Sequence, residues 1–276
     1  MDRLRLSEIW RLFSPGEYGP DWPHMMKVTI PSDWCTTRER SPVLLSASSN
    51  APHRSLHADG KYNAIFPNIS VRTMTISHGN NDVGQYDGSC FFIRHDATKH
   101  EFIFFGDVEP DSVAVKPKNA AVWRAAAPKI PHALSTIFIE CSYPAGRPDD
   151  LLWGHLSPDH LVQELIALAT EVVLARSAAQ ARPALRPRKR RRRNAMSPEA
   201  LHGALEGLRV YIVHCKDVFS AERPTNHVIG DQCRERLAPH KLGVELLTAD
   251  QGMKIGASRP PFLLVCRHGL TLHPVI

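Results

Sequence analysis

Residues Thr136–Glu140, with the sequence Thr-Ile-Phe-Ile-Glu, decide the fold of this chain. An unbroken run of β-branched and aromatic residues is typical of a strand that is buried on both faces of a sheet. Three more strands are predicted before it. Ser70–Ile76 alternates polar and β-branched residues, and Ser89–Arg94 and Glu101–Phe105 are similar short apolar runs. A sheet is therefore predicted to form the centre of the chain.

Helices are predicted on both sides of this strand. Ala120–Lys129 precedes it, and Pro158–Ala179 follows it with leucines at helical spacing. Leu205–His214 then predicts another buried strand, Val228–Leu237 a helix and Gly243–Leu247 a last strand. Strands first, followed by alternating strands and helices, predict a mixed α/β fold in layers.

The positive charge of the chain comes from one tract. The net charge is +6, but residues 182–193 alone carry eight positive side chains and no acidic one. The rest of the chain has 26 Lys and Arg residues and 28 Asp and Glu residues, so its net charge is close to zero. A protein that coats nucleic acid spreads its positive charge over a binding face, and this distribution argues against that class.

Cysteine use and hydrophobicity predict a cytoplasmic protein without a membrane partner. The six cysteines are far apart and form no Cys-x-x-Cys pair, which fits a reducing compartment better than a disulfide framework. Residues Met1–Arg5 carry charges where a signal peptide needs an apolar run. The sequence also has no stretch of about 20 apolar residues, the length that a membrane span requires.

Three apolar runs end in residue types that bind metals. These residues are His78, Asp107 and His214. Histidine nitrogen and carboxylate oxygen suit zinc and related divalent ions, and strand ends would hold such ligands at one rim of a sheet. Taken singly, each has a simpler interpretation, because a lone histidine is more often a surface or core residue and Gly-Asp after a strand is more often a turn.

Six short motifs stand in order along the chain: Ser77–Gly79, Phe105–Ser112, Ile137–Tyr143, Leu152–Pro158, Val210–Asp217 and Gln251–Met253. Together they resemble the signature run of class II cyclic-nucleotide phosphodiesterases, the low-affinity cAMP-hydrolysing type found in fungi and some bacteria. The resemblance covers about residues 60–255. It implies a fold similar to the metallo-β-lactamase superfamily, an αβ/βα sandwich with a two-metal site on one edge.

The resemblance also implies roles for individual residues. His78 and His214 would be terminal ligands of two divalent metal ions, expected to be zinc, and Asp107 would bridge them. His155 would stabilise charge on the substrate phosphate or protonate the leaving oxygen, and Glu140 would orient its imidazole. The reaction would be hydrolysis of a 3′,5′-cyclic nucleotide, cAMP or cGMP, to the 5′-monophosphate, which lowers cAMP signalling. For Glu140, a buried acid paired with a nearby base is the alternative.

One element of the superfamily pattern is absent. The His-x-His-x-Asp-His loop, which supplies most ligands for both ions, occurs nowhere in the sequence. The nearest string, His155–His160, has Ser157 at the middle position, and Pro158 and Asp159 fit a helix start, so we interpret it as a coincidence. The resemblance therefore implies an amino-terminally truncated, partial sandwich that binds metal weakly and hydrolyses little. A catalytically inactive regulatory relative and an RNA-processing nuclease of the same fold are the alternatives.

The domain organisation follows from these patterns. We expect an irregular region at 1–60, one hydrolase domain formed by 61–181 and 199–255, a basic linker at 182–198, and a disordered or atypical tail at 256–276. The basic tract at 186–193 has two interpretations, a nuclear-localisation or polyanion-binding patch and a solvated linker. The oligomeric state has no signal in the sequence.

Overall fold

A seven-stranded sheet is the centre of the computed structural model. The structure describes residues 43–45, 54–56, 60–81, 84–180, 196–216, 223–250, 252–253 and 255. Two short strands, β1 (Val43–Leu45) and β2 (Arg54–Leu56), form a separate antiparallel pair. The large sheet has the same order in space as in sequence: β3 (Tyr62–Phe66), β4 (Ile69–Asn81), β5 (Gly84–His95), β6 (Glu101–Phe105), β7 (Leu134–Glu140), β8 (Arg209–Val213) and β9 (Glu245–Thr248).

The type of strand pairing changes once across this sheet, from antiparallel to parallel. Strands β3 to β6 pair antiparallel, and β6 to β9 pair parallel. Because β4 is separated from β6 by a single antiparallel strand, β4, β6, β7 and β8 all point the same way. Their carboxyl ends therefore lie at one edge of the sheet, where side chains from the strands and from the loops after them share a common space.

In the part of the chain that the structure describes, three α-helices cover one face of the sheet. They are α1 (Asn119–Ala126), α2 (Pro158–Gln180) and α3 (Thr225–Leu237). The buried apolar side chains of these helices form one cluster with the side chains of β6, β7 and β8 that point toward the helices. Within the described residues, no helix is long and apolar enough to cross a membrane.

The opposite face of the sheet is aromatic. Phe102, Phe138 and Tyr211 are buried there, and the rings of Phe138 and Tyr211 stack with their centroids 5.2 Å apart. Strand β7 is buried at all seven positions because one face meets the helices and the other joins this aromatic cluster. An unbroken apolar strand is the expected consequence of burial on both faces.

The layered α/β fold predicted from the sequence is confirmed, and several predicted bounds differ from the observed ones, among them the end of β4 and the start of β8. Strand β4 does not end at His78 but continues to Asn81, and its register with β5 shifts between Ser77 and Asn80. The long β4–β5 hairpin carries the ladder past the histidine. Strand β8 begins only at Arg209 because the preceding residues form turns, in which Leu205 N donates to Leu242 O at 2.8 Å.

Several predicted regions lie outside the described residues. Of the expected irregular region 1–60, the structure describes β1, β2 and Gly60, and of the predicted linker 182–198 it describes only the last three residues. The predicted tail 256–276 is also outside. The division into domains stays a prediction.

Candidate metal and catalytic centre

Five side chains meet at the edge where the carboxyl ends of four strands converge. His78 lies in β4, Asp107 is two residues after β6, Glu140 ends β7, and His214 follows β8 directly. His155 comes from the loop before α2. Two overlapping groups within this set have ligand atoms closer than 4.8 Å to one another, and His155 belongs to both. The structure therefore brings together every site residue that the sequence predicted.

The Asp107 carboxylate lies between two histidines. One of its oxygens, Oδ2, is 3.6 Å from Nε2 of His78, and the other, Oδ1, is 3.5 Å from Nε2 of His214. Two ligand atoms bound to one tetrahedral zinc ion at about 2.0–2.2 Å are roughly 3.3–3.6 Å apart. Both separations have this value. The spacing of these three residues is therefore compatible with a divalent metal ion.

The His78 ring is oriented by a backbone carbonyl. Its Nδ1 lies 3.2 Å from the carbonyl oxygen of Gly154, which can only accept a hydrogen bond, so Nδ1 donates there and Nε2 faces Asp107. A metal-ligating histidine commonly donates its second ring N–H in this way. The side chain is only 18% exposed, which limits the orientations that the ring can adopt.

His214 sits on a strained backbone at the end of β8. Its φ is +55°, in the left-handed region that non-glycine residues rarely adopt. Desolvation by the surrounding atoms lowers the pKa of His214, although 43% of its side chain is exposed and Asp107 opposes the shift. A lowered pKa favours the neutral imidazole, which is the form that binds metals.

Glu140 and His155 form a buried pair. Nδ1 of His155 lies 2.8 Å from Oε2 and 3.0 Å from Oε1 of Glu140. Val108 N also donates to Oε1 at 2.6 Å, and the hydroxyl proton of Ser142 is shared between the Glu140 carboxylate and the carbonyl oxygen of His214. Because the carboxylate accepts at Nδ1, Nε2 of His155 points away from Glu140.

His155 is the centre of the group of rings. Its centroid is 5.3 Å from that of His78 and 5.4 Å from that of His214. The imidazole therefore lies beside both candidate metal ligands, while its Nδ1–H donates to the Glu140 carboxylate. Such a site can bind divalent ions and, next to them, move a proton to or from a bound anion.

Comparison with known proteins identifies the family of this chain. The family model of cAMP phosphodiesterases class-II matches residues 35–252. The chain belongs to the class II cAMP phosphodiesterase family. A 3′,5′-cyclic-nucleotide phosphodiesterase of Schizosaccharomyces pombe (strain 972 / ATCC 24843) is 40% identical over 112 residues, which are 40% of this chain and 32% of that protein. Another from Aliivibrio fischeri is 37% identical over 101 residues, 36% of this chain and 29% of the relative.

The fold of the present chain is similar to that of a solved structure. Unliganded yeast PDE1 superimposes with a TM-score of 0.54 and 23% identity, over 69% of this chain and 46% of that one. The likeness confirms the predicted layered α/β fold. The matched part of the chain spans about a third of the curated relatives and somewhat under half of yeast PDE1.

Two glycines allow the loops of this site to approach closely. Gly154 has a φ of +78°, and a Cβ added there would lie 2.5 Å from the carbonyl oxygen of His78. A Cβ on Gly88 would lie 2.4 Å from the carbonyl oxygen of Asp107. Any larger residue at either position would push a candidate ligand away from its present place.

The string from His155 to His160 does not act as one ligand loop. Nδ1 of His160 is 2.8 Å from the Ser157 hydroxyl, and its Nε2 is 3.5 Å from Asp149. Among the described residues, the two groups with metal-ligand spacing contain neither His160 nor Asp159. The first histidine of the string faces the site, whereas the last stabilises the start of α2.

Sequence reasoning missed two residues that support the site. Glu109 is buried and accepts a hydrogen bond from Gly79 N at 3.2 Å, and burial raises its pKa. Ser142 is completely buried and links Glu140 to the backbone of His214. Both residues stand inside the motifs that carried the resemblance, but their contacts lie across the fold, and the motifs alone contained no signal for a role.

Proposed function

We propose that this chain acts on 3′,5′-cyclic nucleotides, with cAMP as the first substrate and cGMP as the second, and opens the ring to a 5′-monophosphate. The observation that carries this proposal is the Asp107 carboxylate, which faces His78 and His214 from opposite oxygens next to the buried Glu140–His155 pair. The names of the matched relatives support the substrate class. In a cell, this activity would lower cAMP signalling.

The proposed metal ligands divide into two overlapping sets. His78 and Asp107 would hold one divalent ion, and His214 and Asp107 the other. Zinc is the ion that suits a set of imidazoles and a carboxylate best. When bound, such ions supply Lewis acidity to a phosphodiester and lower the pKa of a nearby water to about 7.

The Glu140–His155 pair would supply the proton of the reaction. A water oxygen adds to phosphorus, the bond between phosphorus and O3′ breaks, and Nε2 of protonated His155 gives its proton to O3′. The Glu140 carboxylate stabilises the imidazolium and holds its plane through the Nδ1 hydrogen bond. The proton released by the attacking water then restores the imidazolium.

We further propose that metal binding by this chain alone is weak. The sequence contains no His-x-His-x-Asp-His string, so two ions would share three protein ligands. A structural zinc ion normally has four ligands and a catalytic one at least three. Turnover by the isolated chain would then be low, and a regulatory relative without catalysis is the second candidate that this missing string favours.

The test combines metal content with turnover. We expect the purified chain, equilibrated with zinc, to retain zinc above the level of Asp107→Asn and to hydrolyse cAMP faster than cGMP, and to leave a tRNA precursor intact. Retained zinc without cAMP turnover would support the regulatory relative. Cleavage of the tRNA precursor in preference to cAMP would contradict the proposed substrate class.

A further inference from the structure

Trp153 occupies an unusual position beside the candidate metal centre. The residue is 62% exposed and is among the most exposed large apolar residues that the structure describes. Its φ is +50°, so the backbone holds it in the left-handed region that a bulky residue rarely adopts. A large exposed ring on a strained backbone next to a site is a candidate for ligand contact rather than for folding.

The indole is held in place on one side. The guanidinium of Arg147 lies over the Trp153 ring, 4.7 Å from its centroid, and over the Tyr143 ring at 4.1 Å. Tyr143 meets Trp153 in an edge-to-face contact with the centroids 6.0 Å apart. Arg147 is itself fixed, because its Nε donates to the carbonyl oxygen of Leu151 at 2.6 Å.

This cluster of Tyr143, Arg147 and Trp153 lies next to the candidate site residues His155 and His78. The Tyr143 ring centroid is 6.1 Å from that of His155. Trp153 is also covalently next to Gly154, the residue whose carbonyl oxygen lies 3.2 Å from Nδ1 of His78. The aromatic surface therefore begins one ring away from the position where a substrate phosphate would contact His155.

We propose that Trp153 is the stacking platform for the base of a purine nucleotide. The inference rests on the proposed function, because a nucleotide whose phosphate lies at His155 extends its ribose and base outward from the same point. Bases stack on aromatic side chains irrespective of their hydrogen-bonding edge, and an adjacent arginine strengthens such a surface. The exposed indole offers that face, while Arg147 and Tyr143 keep it from turning.

A binding experiment separates this platform from a role in folding. Affinities of the full chain for 5′-AMP, 5′-UMP and ribose 5-phosphate would be measured by calorimetry in the presence of zinc, with no need for turnover. We expect 5′-AMP to bind most tightly, and Trp153→Ala to weaken its binding about tenfold or more while leaving ribose 5-phosphate unchanged. Trp153→Phe should retain most of the affinity for 5′-AMP.

A matched variant controls for loss of an exposed aromatic ring. Phe66 is 41% exposed and is the last residue of β3, beside the start of β4 and thus at the opposite end of that strand from Asn81. Phe66→Ala should leave all three affinities unchanged. Thermal unfolding of each variant would show whether the fold survives.

Several outcomes would overturn the platform. Equal affinities of the native chain for 5′-AMP and ribose 5-phosphate would do so, even if cAMP is hydrolysed, and so would a Trp153→Ala variant that loses both ligands equally. Failure to bind any of the three ligands would overturn this inference together with the proposed function. Base-dependent binding without cAMP turnover would instead support the platform and contradict the proposed catalysis.

Discussion

Nδ1 of His155 lies 2.8 Å from a carboxylate oxygen of Glu140, and both residues are almost completely buried. The two come from different elements, since Glu140 ends strand β7 and His155 precedes helix α2. A buried carboxylate on one ring nitrogen fixes the tautomer and the plane of the imidazole. The other ring nitrogen is then available to the side of the site where His78 and His214 lie.

Substitutions of Glu140 or His155 should lower turnover more than they lower the metal content of the protein. Because His155 is proposed to give a proton to the leaving oxygen, we expect His155→Ala to reduce kcat for cAMP by about 10²–10⁴-fold. Glu140→Gln should reduce it by about 10–100-fold, the usual effect of removing a carboxylate that orients a histidine. Steady-state kinetics and bound zinc would be measured on the same preparations.

A second histidine–carboxylate pair provides the control. Nε2 of His227 is 3.3 Å from Asp250, and both side chains are substantially exposed. His227→Ala should leave kcat within about twofold of the native value, because an exposed pair contributes little. If His155→Ala were as active as His227→Ala, the proposed proton transfer would be wrong.

Asp107 should affect metal binding more than either histidine does. Its carboxylate faces His78 and His214 with separate oxygens, so Asp107→Asn removes charge from both proposed ion sites, whereas His214→Ala removes one ligand of one site. We expect the zinc retained after dialysis to fall further in Asp107→Asn than in His214→Ala. Asp159→Asn, at an exposed acid paired with Arg236, is the control. Equal zinc retention in all three variants would contradict a shared carboxylate.

Gly154 should be intolerant of a side chain. A Cβ there combines a φ of +78° with an approach of 2.5 Å to the carbonyl oxygen of His78. We expect Gly154→Ala to lower the free energy of unfolding by more than about 3 kcal/mol and to reduce zinc binding. Urea denaturation followed by circular dichroism would measure the first effect.

Gly146 isolates the backbone part of that effect. Its φ is +87°, but no atom lies within 4 Å of an added Cβ. Gly146→Ala should therefore cost only about 1–2 kcal/mol, the penalty of the left-handed conformation. Equal losses in the two alanine variants would mean that the contact with His78 contributes nothing.

Glu164 should make stability depend on pH. It is buried in α2, where Oε1 accepts from Asp111 N at 2.7 Å and Oε2 from Trp123 Nε1 at 2.5 Å. Burial raises the pKa of Glu164 above its ordinary value of 4.5, with these hydrogen bonds opposing the shift. A raised pKa means that the folded chain binds this proton more tightly than the unfolded chain does. Its contribution to stability is thus present below pH 4.5 and is lost as the pH rises through the raised pKa.

The variant Glu164→Gln removes this titration. We expect the free energy of unfolding of the native chain to fall, relative to that of the variant, as the pH increases from 4.5 toward 7.5. The absolute stability of the variant also depends on the hydrogen bond that Trp123 donates to residue 164. The informative quantity is therefore how the difference between the two unfolding free energies changes with pH. Parallel curves for the two proteins would show that Glu164 does not carry the effect.

Much of the fold could be predicted from local patterns. The predicted strand Glu101–Phe105 has the observed bounds, and the predicted helix Pro158–Ala179 differs from the observed one by a single residue. The spacing of apolar residues and the proline at the helix start are properties of short segments. Such signals predict a strand or helix without reference to the rest of the chain. The end of β4 was predicted wrongly because the pairing of its last residues with β5 depends on a partner strand.

Periodicity and side-chain chemistry are local, so the order of strands and helices and the residue types that suit a metal site follow from the amino-acid sequence. The folded arrangement alone shows that His78 and His214 meet at Asp107 and that Ser142 and Glu109 support them. It also shows that the Tyr143 ring contacts both Trp153 and His155. The physical reason is the parallel run of β6, β7 and β8 with β4 pointing the same way, which brings distant chain segments to one sheet edge. Contacts across that edge are set by pairing and packing among elements, and no short segment encodes them.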